Sequence, residues 1–129
     1  AVVHGGMEKE TGIISSYLAE NKAHLVYSTS DRSKGRLART AYRLLEQTKD
    51  FALLEVDLLT GRKHQIRVHL AENGHPVVGD TKYGKENRGH RNLALHARSL
   101  SVTHPFTGER LTFEAAAPAY FKQLIGGRE

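Results

Sequence analysis

Hydrophobic and polar residues alternate along two neighbouring segments in the middle of the chain. Between Phe51 and Leu59, hydrophobic residues occupy every second position, and the alternate positions include Glu55 and Asp57. A period of two predicts a strand with one face more buried than the other. The preceding segment, Leu37 to Thr48, is also extended in pattern, and Lys49-Asp50 joins the two. The middle of the chain therefore predicts a β-hairpin.

Shorter patterns lie on the N-terminal side of this hairpin. Ala1 to His4 is a short extended piece that ends at Gly5-Gly6. Gly12 to Tyr27 mixes apolar and polar residues without a firm period, so short strands and one poor helix both remain open. Ser28 to Gly35 has the composition of a loop.

Further extended segments lie on the C-terminal side. Leu93 to Thr103 and Glu109 to Ala115 predict a second hairpin, which turns at Pro105 to Gly108. Pro118 can open a short helix through Leu124. Strands joined mainly by hairpins, with few helices, predict an α+β fold with a mostly antiparallel mixed sheet.

The pattern changes to that of a helix after Thr60-Gly61. Thr60 can cap a helix from Arg62 to Asn73, and Gly74 is a natural stop. Ile66 and Leu70 would then share one face of that helix. The same stretch also alternates with period two, so a strand competes. The stop signal and the length of the segment favour the helix.

Composition limits the size of the protein and the kinds of partner and metal site that it can have. Its 129 residues suit one domain of ordinary size or part of a larger one, and 19 Lys and Arg against 14 Asp and Glu give a net charge of +5. A basic domain fits a polyanionic partner such as nucleic acid. The absence of Cys excludes disulfides and thiolate metal sites and agrees with a reducing compartment. No apolar run approaches the roughly 20 residues of a membrane span, so we expect a cytosolic protein without a membrane partner.

Cationic side chains crowd the beginning of the predicted helix. Arg62, Lys63 and His64 would occupy its first turn, where the helix dipole favours negative groups. A bound anion would remove that conflict, because free backbone N–H groups and basic side chains would converge on it. Arg67 lies about one turn further on, and Gln65 offers the donor and acceptor that contact with a base edge requires. A solvated basic face fits the same spacing.

The histidines and acidic residues lack the spacing of a metal site or of paired catalytic acids. His64 and His69 are five positions apart and would point to divergent faces, whereas a zinc-binding helix pair is four apart. Asp80 follows a glycine and precedes Thr81, a turn position where its carboxylate would accept nearby backbone N–H groups. We therefore predict no metal site and a structural role for Asp80.

Several spaced motifs give the chain a resemblance to one enzyme family. Thr60 to His69 matches the pattern Thr-Gly-Arg-x-His-Gln-Ile-Arg-x-His without a mismatch. In this and in the order of its other motifs, the chain resembles the RluA-type pseudouridine synthases. The other matching segments are Ala1 to Gly5, Ala38 to Arg43, Gly74-His75-Pro76, Gly79-Asp80, Tyr83-Gly84, Leu95-His96-Ala97 and His104-Pro105.

The resemblance implies an activity and a set of roles. Enzymes of this kind isomerise uridine to pseudouridine in structured RNA, here rRNA or tRNA, without a cofactor or metal, and the target nucleotide is flipped out of its stack. Arg67 would pair with the catalytic aspartate and keep it ionised. Ile66 and Leu95 would form the apolar floor beneath the base. Arg62, Lys63 and His64 would meet RNA phosphate or hold the loops of the site.

The chain departs from the family pattern at its nucleophile. No His-Arg-Leu-Asp segment occurs in the 129 residues, and the family's active-site tyrosine would lie just before Ala1. Asp57-Leu58-Leu59-Thr60-Gly61 superficially resembles the nucleophile loop, but it lies in a predicted strand, so we reject Asp57. We expect residues 1–129 to be the C-terminal portion of one catalytic domain, inactive without its N-terminal half.

Two other hypotheses fit the same residues. One is a non-catalytic RNA-binding module that kept the basic surface of this fold. The other is a structural fragment that folds poorly without the rest of the domain.

Overall fold

The fold is built on a sheet of five antiparallel strands, seen in a computed structural model that describes residues 1–84, 93–97, 99–103, 110–114, 121 and 124. A helix, α1 (Gln65–Glu72), follows the sheet along the chain, and a separate two-stranded sheet comes later. The α+β class with an antiparallel sheet is confirmed. The strands are β1 (Val2–His4), β2 (Thr11–Glu20), β3 (Val26–Thr29), β4 (Arg36–Gln47), β5 (Phe51–Leu58), β6 (Ser99–Thr103) and β7 (Arg110–Glu114).

The order of the strands in the large sheet is β1-β5-β4-β2-β3. The predicted central hairpin is confirmed as β4 and β5, whose register shifts at a bulge between Leu44 and Glu46. The open question of Gly12 to Tyr27 is resolved in favour of strands. There β2 pairs with β4 from Thr11↔Arg43 to Leu18↔Arg36, which satisfies backbone groups that a poor helix would satisfy less well.

The second predicted hairpin is confirmed in part. Its strands β6 and β7 pair in register from Ser99↔Glu114 to Thr103↔Arg110. The first strand was predicted from Leu93, but residues 93–97 are not in a strand. The turn at 105–108 and most of the predicted helix at 118–124 lie outside the described residues, although Phe121 and Leu124 are helical.

The helix α1 begins later than predicted and ends at Glu72, one residue before the predicted Asn73. It starts at Gln65 rather than Arg62, after His64 adopts a left-handed conformation with φ 55°. At the C-terminal end Gly74 has φ 85°. Its N–H donates to Ala71 O (3.1 Å) and the next N–H donates to Leu70 O (2.9 Å), the bond pair of a Schellman motif.

Two hydrophobic clusters lie on either side of the helix axis. The main cluster joins β1, β5 and Leu70 to residues 77, 78 and 94, and the predicted pairing of Ile66 with Leu70 on one face is confirmed there. Residues 77 and 78 also cover the free edge of β1 through backbone hydrogen bonds, which protects it from pairing with another chain. The second cluster contains Leu18, Val26, Ala38 and Val68, with Tyr83 packed against it.

The other face of the large sheet is open to solvent. Ile13 is 57% exposed on β2 and Leu37 is 39% exposed on β4. These apolar side chains are interspersed with charged ones, such as the exposed ion pair between Arg43 and Glu55 (3.0 Å). One solvated face is common in antiparallel sheets. The candidate site lies on the other face, which carries α1.

Candidate active site around Arg67

The centre of the candidate site is an ion pair between Arg67 and Asp80. Arg67 Nε donates to Asp80 Oδ2 at 3.0 Å, and Arg67 Nη2 donates to Oδ1 at 2.8 Å. Asp80 is fully buried, whereas the Arg67 side chain is 20% exposed. Two parallel bonds of this kind fix both the position and the plane of a guanidinium group.

Asp80 occupies the turn position that the sequence predicted. Its Oδ1 accepts the backbone N–H groups of Lys82 (3.1 Å) and Tyr83 (3.0 Å), which confirms the predicted backbone bonds. Burial by itself would raise the pKa of Asp80, but the bonds from Arg67 and from these backbone groups outweigh it and lower the pKa. The hydrogen bond to Asp80 likewise raises the pKa of Arg67. The pair is therefore ionised on both sides.

Tyr83 connects Arg67 to His64. The Arg67 guanidinium carbon lies 5.2 Å from the centroid of the Tyr83 ring, a cation–π contact. The Tyr83 hydroxyl accepts Val26 N–H (3.2 Å) and lies 2.7 Å from His64 Nδ1. Among the described residues His64 Nδ1 is the one acceptor that the hydroxyl proton reaches, so we assign that proton to the bond with Nδ1 and the His64 proton to Nε2.

His64 is a neutral hydrogen-bond donor in this arrangement. Burial lowers its pKa, and the positive charges of Arg67, Lys82 and Lys63 lower it further. Within the described part of the chain, neither His64 Nε2 nor Arg67 Nη1 has a hydrogen-bond partner. The site therefore presents an N–H of imidazole and an N–H edge of guanidinium, a combination suited to an anionic oxygen.

Arg62 and Lys63 lie in the turn before α1 and are exposed. Arg62 Nε donates to Leu37 O at 2.9 Å, which holds the guanidinium against β4. Lys63 Nζ donates to Glu20 Oε2 at 2.7 Å. The turn places these cations before the helix rather than in its first turn, since Thr60 does not cap the helix as predicted.

Gln65 belongs to the framework rather than to the substrate surface. Its side chain is buried, and its Oε1 accepts from Thr60 Oγ1 (2.8 Å) and Arg62 N (2.9 Å). Its Nε2 donates to Arg39 O (2.8 Å) and Thr40 Oγ1 (2.9 Å). All four hydrogen-bonding positions of the amide are filled, so the predicted contact of Gln65 with a base has no free atom to make it.

Ile66 and Leu95 are both neighbours of the main hydrophobic cluster. Both are partly buried and pack against it, from α1 and from the segment 93–97 respectively. Partly exposed apolar side chains at these two positions are compatible with the predicted floor of a base pocket.

A buried polar network anchors α1 to the sheet, and the sequence prediction missed it. His69 is fully buried, with Nδ1 2.8 Å from Thr40 Oγ1 and Nε2 2.9 Å from Ser16 Oγ. Ser16 bonds to Ser28, whose hydroxyl bonds to Glu72 at the end of the helix. The signal in the sequence was the spacing of Gln65 and His69, because polar residues four apart share one helix face.

The direction of the bonds in this network follows from its ends. A carboxylate only accepts, so Ser28 donates to Glu72 and Ser16 donates to Ser28. His69 Nε2 then donates to Ser16, and Nδ1 accepts from Thr40, which in turn accepts from Gln65. In the part of the chain that the structure describes, no buried polar side-chain atom is without a partner.

A metal site and a membrane span can be assessed for the residues 1–84, 93–97, 99–103, 110–114, 121 and 124. They contain no group of three or more His, Cys, Asp or Glu side chains placed to hold a metal ion. None of their helices has the length and apolar character needed to cross a membrane. Asp57 lies in a strand as predicted, exposed on β5 opposite Ala41, and its rejection as a nucleophile stays a prediction.

Comparison with known proteins identifies the family. The family model described as RNA pseudouridylate synthase matches residues 1–72. A Bacillus subtilis protein named as an uncharacterized RNA pseudouridine synthase, YlyB, is 41% identical over 97% of this chain and 41% of its own length. The ribosomal large subunit pseudouridine synthase D of Nitrosomonas europaea is 37% identical over 97% of this chain and 38% of its own length.

The fold has a solved counterpart. The structure of human RNA pseudouridylate synthase domain containing 1 superposes with a TM-score of 0.81 at 25% identity, over 98% of this chain and 56% of that one. The chain thus spans about two fifths of the length of the two bacterial relatives it matches. The RluA-type resemblance is confirmed, and the chain belongs to the RNA pseudouridylate synthase family.

Proposed function

We propose that this chain carries the basic half of an active site that isomerises uridine to pseudouridine in structured RNA. The observation that carries the proposal is Arg67, whose guanidinium is oriented by the buried Asp80 and still presents Nη1. The nucleophilic aspartate would come from the N-terminal half of a longer catalytic domain. The 129 residues alone would then have no turnover.

In this reaction an aspartate attacks the nucleoside, the glycosidic bond breaks, and uracil turns and rejoins the ribose through C5. Arg67 would pair with that carboxylate through Nη1 and keep it ionised in a partly buried site. Asp80 acts through Arg67 and is a positioning residue. The reaction rearranges bonds within one nucleotide, so we propose no cofactor or metal.

The remaining residues would bind the RNA. We propose that His64 Nε2–H, Arg62 and Lys63 contact phosphate oxygens and that Ile66 and Leu95 contact the flipped base. The name of the Nitrosomonas relative supports ribosomal RNA of the large subunit as the first RNA to test. Transfer RNA remains the alternative substrate.

The experiment joins this chain to the upstream part of the Nitrosomonas relative. Pseudouridine formation removes the C5 hydrogen of uridine, so tritium release from RNA labelled at C5 measures turnover. We expect the fusion to release tritium and the isolated 129-residue chain to release none. Turnover by the isolated chain would contradict the proposal, because the nucleophile would then lie within these residues.

The same fusion tests Arg67 directly. Arg67→Lys keeps the charge but loses the planar fork, and we expect kcat to fall by at least about 100-fold. Arg43→Lys is the matched control, because Arg43 forms an exposed ion pair on the open face of the sheet. Circular dichroism checks that both variants fold. Equal activity of the two variants would remove Arg67 from the mechanism.

A non-catalytic RNA-binding module is the second candidate. It is favoured by Lys34, Arg36 and Arg62, which have no carboxylate partner among the described residues. It predicts RNA binding by the isolated chain and no tritium release by the fusion.

A further inference from the structure

An open cleft of about 410 Å³ lies beside the candidate site, between the end of β2 and the turn that precedes α1. Four cationic side chains from two separate parts of the chain line it: Lys34 and Arg36 at the start of β4, and Arg62 and Lys63 in the turn before the helix. Glu20 is the carboxylate among the lining residues. Four cations against one carboxylate leave the cleft with an excess charge of about +3.

Most of this positive charge is uncompensated. Lys63 pairs with Glu20 at 2.7 Å. Lys34, Arg36 and Arg62 have no carboxylate partner among the described residues. Arg62 is nevertheless held in place, because its Nε donates to Leu37 O, and its two terminal nitrogens have no partner among the described residues. Like charges gathered in one cleft repel each other, and an anion bound between them relieves that repulsion.

Two contacts link the cleft to the site around Arg67. Val26 lines the cleft, and its backbone N–H donates to the hydroxyl of Tyr83, the residue under Arg67. Lys63 is the chain neighbour of His64, which bonds to the same hydroxyl. The cleft is therefore a neighbour of the site, within the span of an extended polyanion that contacts Arg67 and His64.

We propose that this cleft binds a phosphodiester of the RNA strand that flanks the target nucleotide. The RNA partner rests on the proposed function, whereas the contribution of Lys34 and Arg36 rests on their convergence with Arg62 and Lys63. Phosphate contacts of this kind fix the register of a nucleic acid without reading its sequence. Lys34 and Arg36 thus act as positioning residues for the nucleotide at Arg67.

The test measures binding of a labelled RNA stem-loop to the 129-residue chain over a series of salt concentrations. In Lys34→Gln/Arg36→Gln we expect about 10-fold weaker binding at low salt and a log–log salt slope smaller by about one, the amount expected for one lost phosphate contact. Lys9→Gln/Lys49→Gln is the control. It removes the same two charges from exposed positions outside the cleft, and its binding should stay near that of the wild type.

The outcomes separate this proposal from the proposed function. Equal loss of RNA affinity in both double variants would contradict the cleft proposal. It would not affect the test of the proposed function, which is tritium release by the fusion. A wild-type chain that binds no RNA at low salt would contradict the cleft proposal as well. In the active fusion, the cleft variant should raise KM more than it lowers kcat, the reverse of Arg67→Lys. If the fusion has no turnover but the cleft variant still binds RNA more weakly than the wild type, the cleft proposal is supported and the catalytic proposal is contradicted.

Discussion

At the scale of single residues, the site depends on a carboxylate that orients an arginine. The sequence pointed to Arg67 and placed Asp80 in a turn, but it did not predict that the two would pair. They are 13 positions apart, and they meet because the chain reverses at Gly74 and returns past β1. Local spacing cannot predict a contact made by such a return, whereas the turn at Asp80 is local and could be predicted.

Replacing Asp80 by asparagine tests the orienting role. Asp80→Asn keeps an oxygen for the N–H groups of Lys82 and Tyr83 but removes the charge that Arg67 faces. We expect the free energy of unfolding at pH 7 to fall by about 1–3 kcal/mol in urea denaturation. Asp57→Asn, on the exposed end of β5, should change it by less than about 0.5 kcal/mol.

The pH dependence of this difference in unfolding free energy tests whether the charge of Asp80 causes it. The pKa of Asp80 is lowered in the folded state. Its stabilising contribution is therefore present above the unfolded pKa and is lost as pH falls below that value. Wild type and Asp80→Asn should converge toward pH 3. A constant difference from pH 7 to pH 3 would contradict the assignment of the effect to this charge.

At the scale of elements, α1 is held by polar contacts as well as by apolar ones. Ile66 and Leu70 pack into the main cluster, Val68 packs into the second, and Gln65 and His69 are buried between the helix and the sheet. A helix buried on several sides has a weak hydrophobic period, which is why a strand competed in the sequence. Its start was predicted wrongly because the Gln65 amide, not Thr60, accepts the N–H of Arg62.

Thr40 is the point at which to break this network. Thr40→Val keeps the shape of a fully buried side chain and removes the hydroxyl that bonds to Gln65 and His69. We expect a loss of about 1–3 kcal/mol in the free energy of unfolding, since two buried polar groups lose a partner. The control is Thr11→Val, at an exposed position of the neighbouring β2. Similar values for the two variants would show that the network contributes little.

At the scale of the whole molecule, the antiparallel sheet was predictable and its order was not. Alternation in Phe51 to Leu59 predicts a strand wherever that strand lies, and a two-residue polar connection predicts its nearest partner. The placement of β1 between β5 and residues 77–78 depends on long-range pairing, about which a three-residue strand carries no local signal. The mixed pattern of Gly12 to Tyr27 was undecided for the same reason, because pairing with β4 determines it.

One fully buried and one partly buried imidazole make global stability depend on pH. Burial lowers the pKa of His69, and burial with neighbouring cations lowers the pKa of His64. Below the ordinary histidine pKa of about 6.5, the unfolded chain binds more protons than the folded one, so stability should fall as pH decreases from 7.5 to 5.

His69→Gln should be less stable at pH 7.5 but show a shallower decline, because it removes one of these groups. Thr11→Val, at an exposed position of β2 without a titratable side chain, should keep the wild-type slope. Thermal unfolding at pH 5, 6 and 7.5 measures all three proteins, and parallel curves for wild type and His69→Gln would mean that His69 does not couple protonation to folding.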